Sequence, residues 1–477
     1  MIEGLYCFIL FCPPLFMSII TTTFKDASQW RSFIKLASPI LLAEILHLSS
    51  TVVDTIMAGQ YSAVDLAGVS IGGSTLFPLM IFVVGVIMAT TPSVAQAFGA
   101  KQLLHIGPIV QQSIWLAISL GLLGILLLRF VVPIFDLLLI TGEVRDIALD
   151  YLFAVAFALP AITLMQSLRS FSEGLGITKP MVYFGLLGVM INIPINYILI
   201  YGKFGLPAMG GVGCGWATTI SAWVATLGMA GYIFWRPAYR HYGFFERLYW
   251  PQFKAIKQLL KVGVPIGISI FIEATMFAIV ALFLAPLGAT VVAGHQLVLN
   301  FTSLCFMLPM SIGITLTIRV GHAVGSGNAQ AAKQLVVIGS TLALVMATAT
   351  CSLMLSFPDL IARIYTQDQA VIDVAISLFF LAAMFQLSDA IQVAGAGILR
   401  GYKDTKWPML MIIISYWLIG LPLGYILGLT DILLPALGAQ GFWIGIIFGL
   451  SCAAILLCFR VFYIIHKPLT QQQVINA

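Results

Sequence analysis

Charged side chains are scarce in this chain. Only 9% of its 477 residues are Asp, Glu, Lys or Arg, against about 25% in an ordinary soluble domain, and that shortage excludes a soluble globular protein. Seven cysteines, Cys7, Cys12, Cys214, Cys305, Cys351, Cys452 and Cys458, are scattered without a CxxC pair. That pattern excludes a zinc ribbon or a disulfide framework and leaves small residues within apolar runs. No GxxxxGK[ST] phosphate loop occurs, so an ATP-driven pump is excluded. HExxH and GxGD are absent too, and Ser74 in GGST has no evident partner histidine. No enzyme is expected, and nothing points to nucleic acid or a cofactor.

What is present is hydrophobicity. Sixty per cent of residues are apolar, mean hydropathy is +1.05, and runs of 20 or more apolar residues recur along the chain, as in a polytopic helical membrane protein. The pattern predicts twelve helices, near 33–58, 69–97, 112–133, 146–168, 180–202, 212–235, 258–284, 295–318, 334–356, 371–398, 408–428 and 439–464. With the N-terminus placed in the cytoplasm, 19 of the 23 Lys and Arg residues fall on the cytoplasmic side and only Arg129, Arg145, Lys203 and Arg363 on the other. The positive-inside rule therefore predicts that both termini are cytoplasmic. The basic segment 236–257 lies midway and reads as the connector between two six-helix lobes, 33–235 and 258–464, with a lead-in at 1–32 and a cytoplasmic tail at 465–477. The apolar stretch IEGLYCFILFCPPLF at the start lacks the basic region that a signal peptide needs, and a short interfacial segment is its plainer reading. Met17 is a candidate true start.

The halves repeat. Pro180, Pro194, Tyr197, Pro207 and Gly213 match Pro408, Pro422, Tyr425, Pro435 and Gly441 at an offset of 228. Pro39, Ala67, Gly68 and Gly99 match Pro265, Ala293, Gly294 and Gly325 at 226, and Arg169 matches Arg400 at 231. Two parallel repeats related by an axis along the membrane normal build a central cavity that can open to either side. Pro194 and Pro422 are expected to kink the fifth and eleventh helices.

Against this apolar background four acids fall within predicted spans: Glu44, Asp54, Glu273 and Asp389. An ionised acid at mid-membrane costs about 2.5–3.5 kcal/mol on insertion scales, and such residues usually face a cavity. On the first helix Glu44, His47, Thr51 and Asp54 recur at spacings of 3, 4 and 3, which places them on one polar stripe; Glu44 near the helix end and His47 as a packing residue is the plainer reading of those two. At the repeat offset His47 stands opposite Glu273, so the lobes match in fold and differ in chemistry. Gln386, Asp389 and Gln392 recur every third residue on the tenth helix. No helix of the C-terminal half has an obvious mid-span Lys or Arg to pair with Glu273 or Asp389. Carboxylates in a low-dielectric cavity hold protons more tightly, ligate a hard cation such as Na⁺, or attract an organic cation. A site open to competing cations is what an antiporter needs.

Several motifs carry a family resemblance: VVDTIMAGQYSAVDLAGVSI, GLLGVMINIPINYILIYGKFG, FIEATMFAIVALFLAPLG, VVAGHQLVLNFTSLCFMLPMSIG, IRVGHAVG, SDAIQVAGAGILRGYKDT and SYWLIGLPLGYILG. Over residues 30–465 the chain resembles the MATE family of multidrug exporters, in its NorM branch. The resemblance implies an all-α membrane protein with twelve helices in two pseudo-symmetric lobes around a cleft. It implies export of cationic, lipophilic drugs and dyes from a bacterial inner membrane, driven by inward Na⁺ or H⁺. It places Asp54, Glu273 and Asp389 at the family's acids on helices 1, 7 and 10, with the last two as Na⁺ ligands if Na⁺ is the coupling ion. It sets Asn192 and Asn196 toward the helix 1 acid. One departure stands out: Phe385 occupies a position where some relatives have tyrosine, which removes an oxygen ligand and leaves room for H⁺. Glu44, His47, Thr51, Asn192, Asn196, Phe385 and Gln386 are candidate cavity-lining residues, and a monomer is expected.

For His295 and His322 the expected roles are packing or loop contacts, and for Arg169 and Arg400 the anchoring of short cytoplasmic turns. Tyr197, Tyr416, Trp417 and Tyr425 are aromatic candidates for cation–π contact, although packing is the commoner use of membrane aromatics. The nearest rival is a lipid-linked oligosaccharide flippase of the same superfamily, which is expected to present basic residues to a pyrophosphate. This chain presents acids.

Overall fold

The computed structural model describes residues 27–137, 141–432 and 434–468. The candidate start at Met17, most of the lead-in and most of the C-terminal tail lie outside them. Eleven helices among the described residues are long and apolar enough to cross a membrane, and a bent pair makes a twelfth. The spans are α1 (Ala27–Tyr61), α2 (Ala63–Gly99), α3 (Leu103–Leu128), α4 (Glu143–Ala156 with Ala158–Gly174), α5 (Lys179–Tyr201), α6 (Gly211–Trp235), α7 (Phe253–Leu284), α8 (Ala289–Gly325), α9 (Ala329–Ser356), α10 (Gln369–Gly401), α11 (Lys406–Leu429) and α12 (Ala439–His466). All twelve predicted spans are present, and several run longer than predicted because polar end turns remain helical.

Local chemistry explains the breaks. Ser62 caps α2 by accepting from the Val64 and Asp65 amides at 3.0 and 3.4 Å, which satisfies amides that have no partner within the helix. The α4 segments meet at 42°, just before Pro160, whose ring and missing N–H disfavour an uninterrupted helix. The two repeat prolines behave differently. α5 continues helically through Pro194. In α11 a π-helical stretch, Ile414–Gly420, precedes Pro422, and the wider turn accommodates the lost donor. The symmetric pair of kinks expected from sequence is therefore not symmetric in form.

The largest core cluster lies in the C-terminal lobe, around Phe379, Tyr416, Phe442 and Trp443. An N-terminal counterpart gathers Ile106, Phe171, Met229 and Tyr239. The lobe connector begins with a short helix, Pro237–Tyr242, and is fastened to α3 by three side chains. Gln111 donates to the Phe244 and Arg247 carbonyls at 2.7 and 2.8 Å and accepts from the Tyr249 amide at 2.7 Å. Gln112 does the same with the Trp250 carbonyl and the Gln252 amide at 2.9 and 2.7 Å, and Trp115 donates to the Tyr249 carbonyl at 3.0 Å.

The lobes meet in their connector-side halves. There Gly85 lies against Gly267, and Gly263 against the Val86 carbonyl. Ile40 and Ala43 of α1 pack with Ile314 and Ile318 of α8. An added Cβ on Gly99 would stand 2.1 Å from the His322 carbonyl, and one on Gly325 would stand 2.1 Å from the Gln96 carbonyl. Only hydrogen at Cα permits backbones this close.

Candidate functional site

The C-terminal lobe holds the acid pair. Glu273 of α7 and Asp389 of α10 are near enough to act on each other electrostatically. Asp389 is completely buried, and among the described residues neither of its carboxylate oxygens has a hydrogen-bond partner. A bare carboxylate so placed costs several kcal/mol unless something neutralises it. Glu273 accepts from the Gln392 amide at 3.5 Å, and the Tyr416 hydroxyl donates to the Gln392 carbonyl oxygen. Tyr416 reaches that position from the π-helical stretch of α11. Phe385 fills the wall with edge-on contacts to Phe277 and Trp443, each at 6.0 Å between centroids, and the Trp443 indole donates to His295 at 3.2 Å. Gln386 turns to the Thr302 carbonyl at 3.5 Å. Among the described residues no three His, Cys, Asp or Glu side chains converge; two carboxylates alone suit a proton or a monovalent cation better than a transition metal.

The N-terminal lobe treats its acid in the opposite way. Asp54 accepts from Asn196 at 2.5 Å through one oxygen and from Thr218 at 3.0 Å through the other. Asn196 is itself held by the Asn192 carbonyl oxygen at 3.0 Å. Sequence reasoning found the two asparagines and missed Thr218, because a threonine in a span carries no signal of its own. Each lobe thus contains an acid within a span, Asp54 supplied with donors and Asp389 without any among the described residues.

Glu44 is committed to an ion pair. Arg169 of α4 binds Glu44 through one nitrogen and Glu173 at 2.7 Å through another, while Thr91 donates to the second Glu173 oxygen at 3.2 Å. Of the candidate cavity-lining residues, Glu44, Asn192, Asn196, Phe385 and Gln386 are each at most 6% exposed in this structure. Burial of a polar group requires partners, and Glu44, Asn192, Asn196 and Gln386 each make at least one hydrogen bond, although Asn196 Oδ1 has no partner among the described residues. His47 and Thr51 remain exposed along α1, between the ion pair and Asp54.

Two expectations about arginine also change. The turn after α4 bonds the Gly176 amide to the Glu173 carbonyl and the Ile177 amide to the Ser172 carbonyl. The turn after α10 bonds Lys403 to Arg400 and Asp404 to Leu399 in the same way. Arg400 therefore occupies the place of Glu173, at an offset of 227, and Arg169 is not its counterpart. Arg400, three turns beyond Asp389 on α10, also acts electrostatically on Glu273, so that acid does have a cation in reach of its field.

On the connector side several hydrogen bonds cross between the lobes: Gln29 donates to Gln334 at 3.3 Å and Arg319 to Ser32 at 3.1 Å, and two more are related by the repeat. Gln96 donates to the Gly401 carbonyl at 2.8 Å, and His322 donates to the Gly174 carbonyl at 2.7 Å. Gln96 and His322 are repeat partners at an offset of 226, as are Gly174 and Gly401 at 227. The pair of bonds obeys the internal two-fold and latches the lobes together on one side only.

The MatE family model matches residues 39–198 and again 265–426, two copies separated by the repeat offset. The chain belongs to the MATE family. It is 43% identical over 435 residues to the Multidrug resistance protein PmpM of Pseudomonas aeruginosa, covering 91% of each chain. It is 44% identical over 436 residues to the Multidrug resistance protein NorM of Photobacterium profundum, covering 91% of this chain and 96% of the relative. Among solved structures, the eukaryotic MATE transporter AtDTX14 superposes with a TM-score of 0.84 at 20% identity, over 94% of this chain and 97% of that one. An outward-facing multidrug resistance MATE transporter superposes at 0.81 and 20% identity, over 91% and 96%. The twelve-helix, two-lobe MATE fold follows, and with it a transporter in place of an enzyme.

Proposed function

We propose that this MATE-family chain exports cationic, lipophilic drugs and dyes across a bacterial inner membrane in exchange for inward Na⁺ or H⁺. The observation that carries this reading is Asp389: fully buried, without a partner on either oxygen among the described residues, and beside a second acid. Such a group exists to be neutralised by something that arrives and leaves. The multidrug resistance names of relatives more than 40% identical support the same cargo. The basic connector side is assigned to the cytoplasm by the positive-inside rule, which puts the latch on the inner side. Cation and drug compete for the acids, Asp54 in one lobe and Glu273 with Asp389 in the other, and the protein works as a monomer.

The flippase alternative is expected to present several basic residues to a pyrophosphate, whereas the mid-span charges here, Glu273 and Asp389, are acids. The test is expression in bacteria lacking their own efflux pumps. Tolerance should rise severalfold for ethidium and other cationic dyes and stay unchanged for anionic dyes. Equal protection against both, or none against ethidium, would contradict the proposal.

A further inference from the structure

Asp389, Gln392, Ala396 and Arg400 recur on α10 at spacings of 3, 4 and 4, which places them on one face of the helix. Arg400 lies two turns beyond Gln392, about 12 Å along the axis, and helical side chains lean back toward the N-terminus. The intervening Ala396 is too small to separate the guanidinium from Gln392 and its partner Glu273. On α7, Ser269 lies one turn toward the connector side from Glu273. Ile266, Ser269, Ala396 and Arg400 line one small cavity, which Asp404 and Thr405 border at the end of α10; it has room for about one water molecule. The cavity thus lies between Ser269, one turn from Glu273 on α7, and the turn that follows α10.

Arg400 is in none of the five ion pairs among the described residues. The nearest carboxylate along the chain, Asp404, is bonded to Arg460 of α12 at 2.6 Å. Arg169, at the inner end of α4, binds two acids directly. The charged and titratable groups around the acid pair are therefore Arg400 from α10, Tyr416 from α11 and, past the cavity, the Asp404–Arg460 pair.

Building on the antiport reading, we propose that Arg400 is the internal countercharge of the acid pair: as the coupling cation leaves Glu273 and Asp389, the guanidinium takes over its charge-neutralising role from the connector side. The cation enters from the far side and Arg400 stands on the exit side, so each turnover replaces a mobile positive charge with a fixed one. Arg400 is a positioning residue that sets how tightly the pair holds its cation; it does not touch the drug.

The experiment is ethidium efflux from preloaded cells, titrated with Na⁺ at fixed pH and with pH at fixed Na⁺, for wild type, Arg400→Gln, Arg400→Lys and Ala396→Leu. Removing the countercharge should tighten cation binding and slow its release. Arg400→Gln should lower the half-activating concentration of whichever cation drives the wild type, while maximal rate falls. Arg400→Lys should restore the half-activating concentration to near the wild-type value. Ala396→Leu, which keeps the charge and fills the path between it and Glu273, should shift in the direction of Arg400→Gln, and it decides the matter if Arg400→Gln fails to reach the membrane. An unchanged half-activating concentration in whichever of these two variants is inserted, with only the maximal rate reduced, would make Arg400 a structural residue and overturn the proposal. A wild type that responds to neither cation overturns the antiport reading along with it.

Discussion

Replacing Asp389 with asparagine separates its cost to the fold from its use in transport. The substitution removes a carboxylate that is completely buried and whose oxygens have no donors among the described residues. The ionised group costs about 2.5–3.5 kcal/mol at mid-span. The amide that replaces it carries two N–H donors without obvious acceptors, at about 1–3 kcal/mol. These nearly cancel, so the variant should unfold within about 5 °C of the wild type, given roughly 2–4 °C per kcal/mol for a chain of moderate size and less for a larger one. Transport should behave quite differently. An amide cannot alternate between charged and neutralised states, so ethidium efflux should fall to the level of cells without the protein. The assay pairs thermal unfolding of purified protein in detergent with dye efflux at matched membrane abundance. Wild-type efflux by Asp389→Asn would refute the reasoning outright. A large loss of stability would instead mean that Asp389 is a structural acid with a partner the packing conceals.

Other perturbations should divide along the same lines. Asn196→Leu removes a 2.5 Å donor to Asp54 and the bond to Asn192, so it should cost roughly 2–3 kcal/mol of stability, read as a fall in unfolding temperature larger than that of Asp389→Asn. Arg169→Ala leaves Glu44 and Glu173 buried together without their cation, a loss of about 3–5 kcal/mol that should appear as low abundance in the membrane. Gly325→Val places a side chain 2.1 Å from the Gln96 carbonyl and should hold the connector side open, so a cysteine introduced between the lobes there should react with a membrane-impermeant maleimide added to inside-out vesicles faster than in the wild type.

The spans were legible because lipid tolerates few patterns, and twenty apolar residues between basic turns leave little choice. The repeat was legible because Pro194 and Pro422, or Gly99 and Gly325, keep register where apolar residues drift. The glycines have a stated reason for doing so, since each packs against the opposite lobe's backbone. Asp54, Glu273 and Asp389 were visible as charges where charge is costly. Whether each acid is supplied with donors was not visible. Thr218 approaches Asp54 from 164 residues away, and a threonine in a membrane helix looks like any small residue. The latch escaped for a different reason: Gln96 and His322 bind carbonyls, and a backbone acceptor leaves no mark on residue identity. Arg400 was misread because sequence alignment matched arginine to arginine, while the turn hydrogen bonds match it to Glu173. The same limit applies to Gln111 and Gln112, whose partners are all main-chain atoms of the connector.

The most direct test of the account is ethidium efflux from preloaded cells lacking other pumps, followed after a Na⁺ pulse and, separately, after an imposed inward pH gradient. The account predicts that one of the two gradients accelerates efflux and that Asp389→Asn abolishes the acceleration. Dye that leaves no faster under either gradient than in cells without the protein would contradict cation-coupled export.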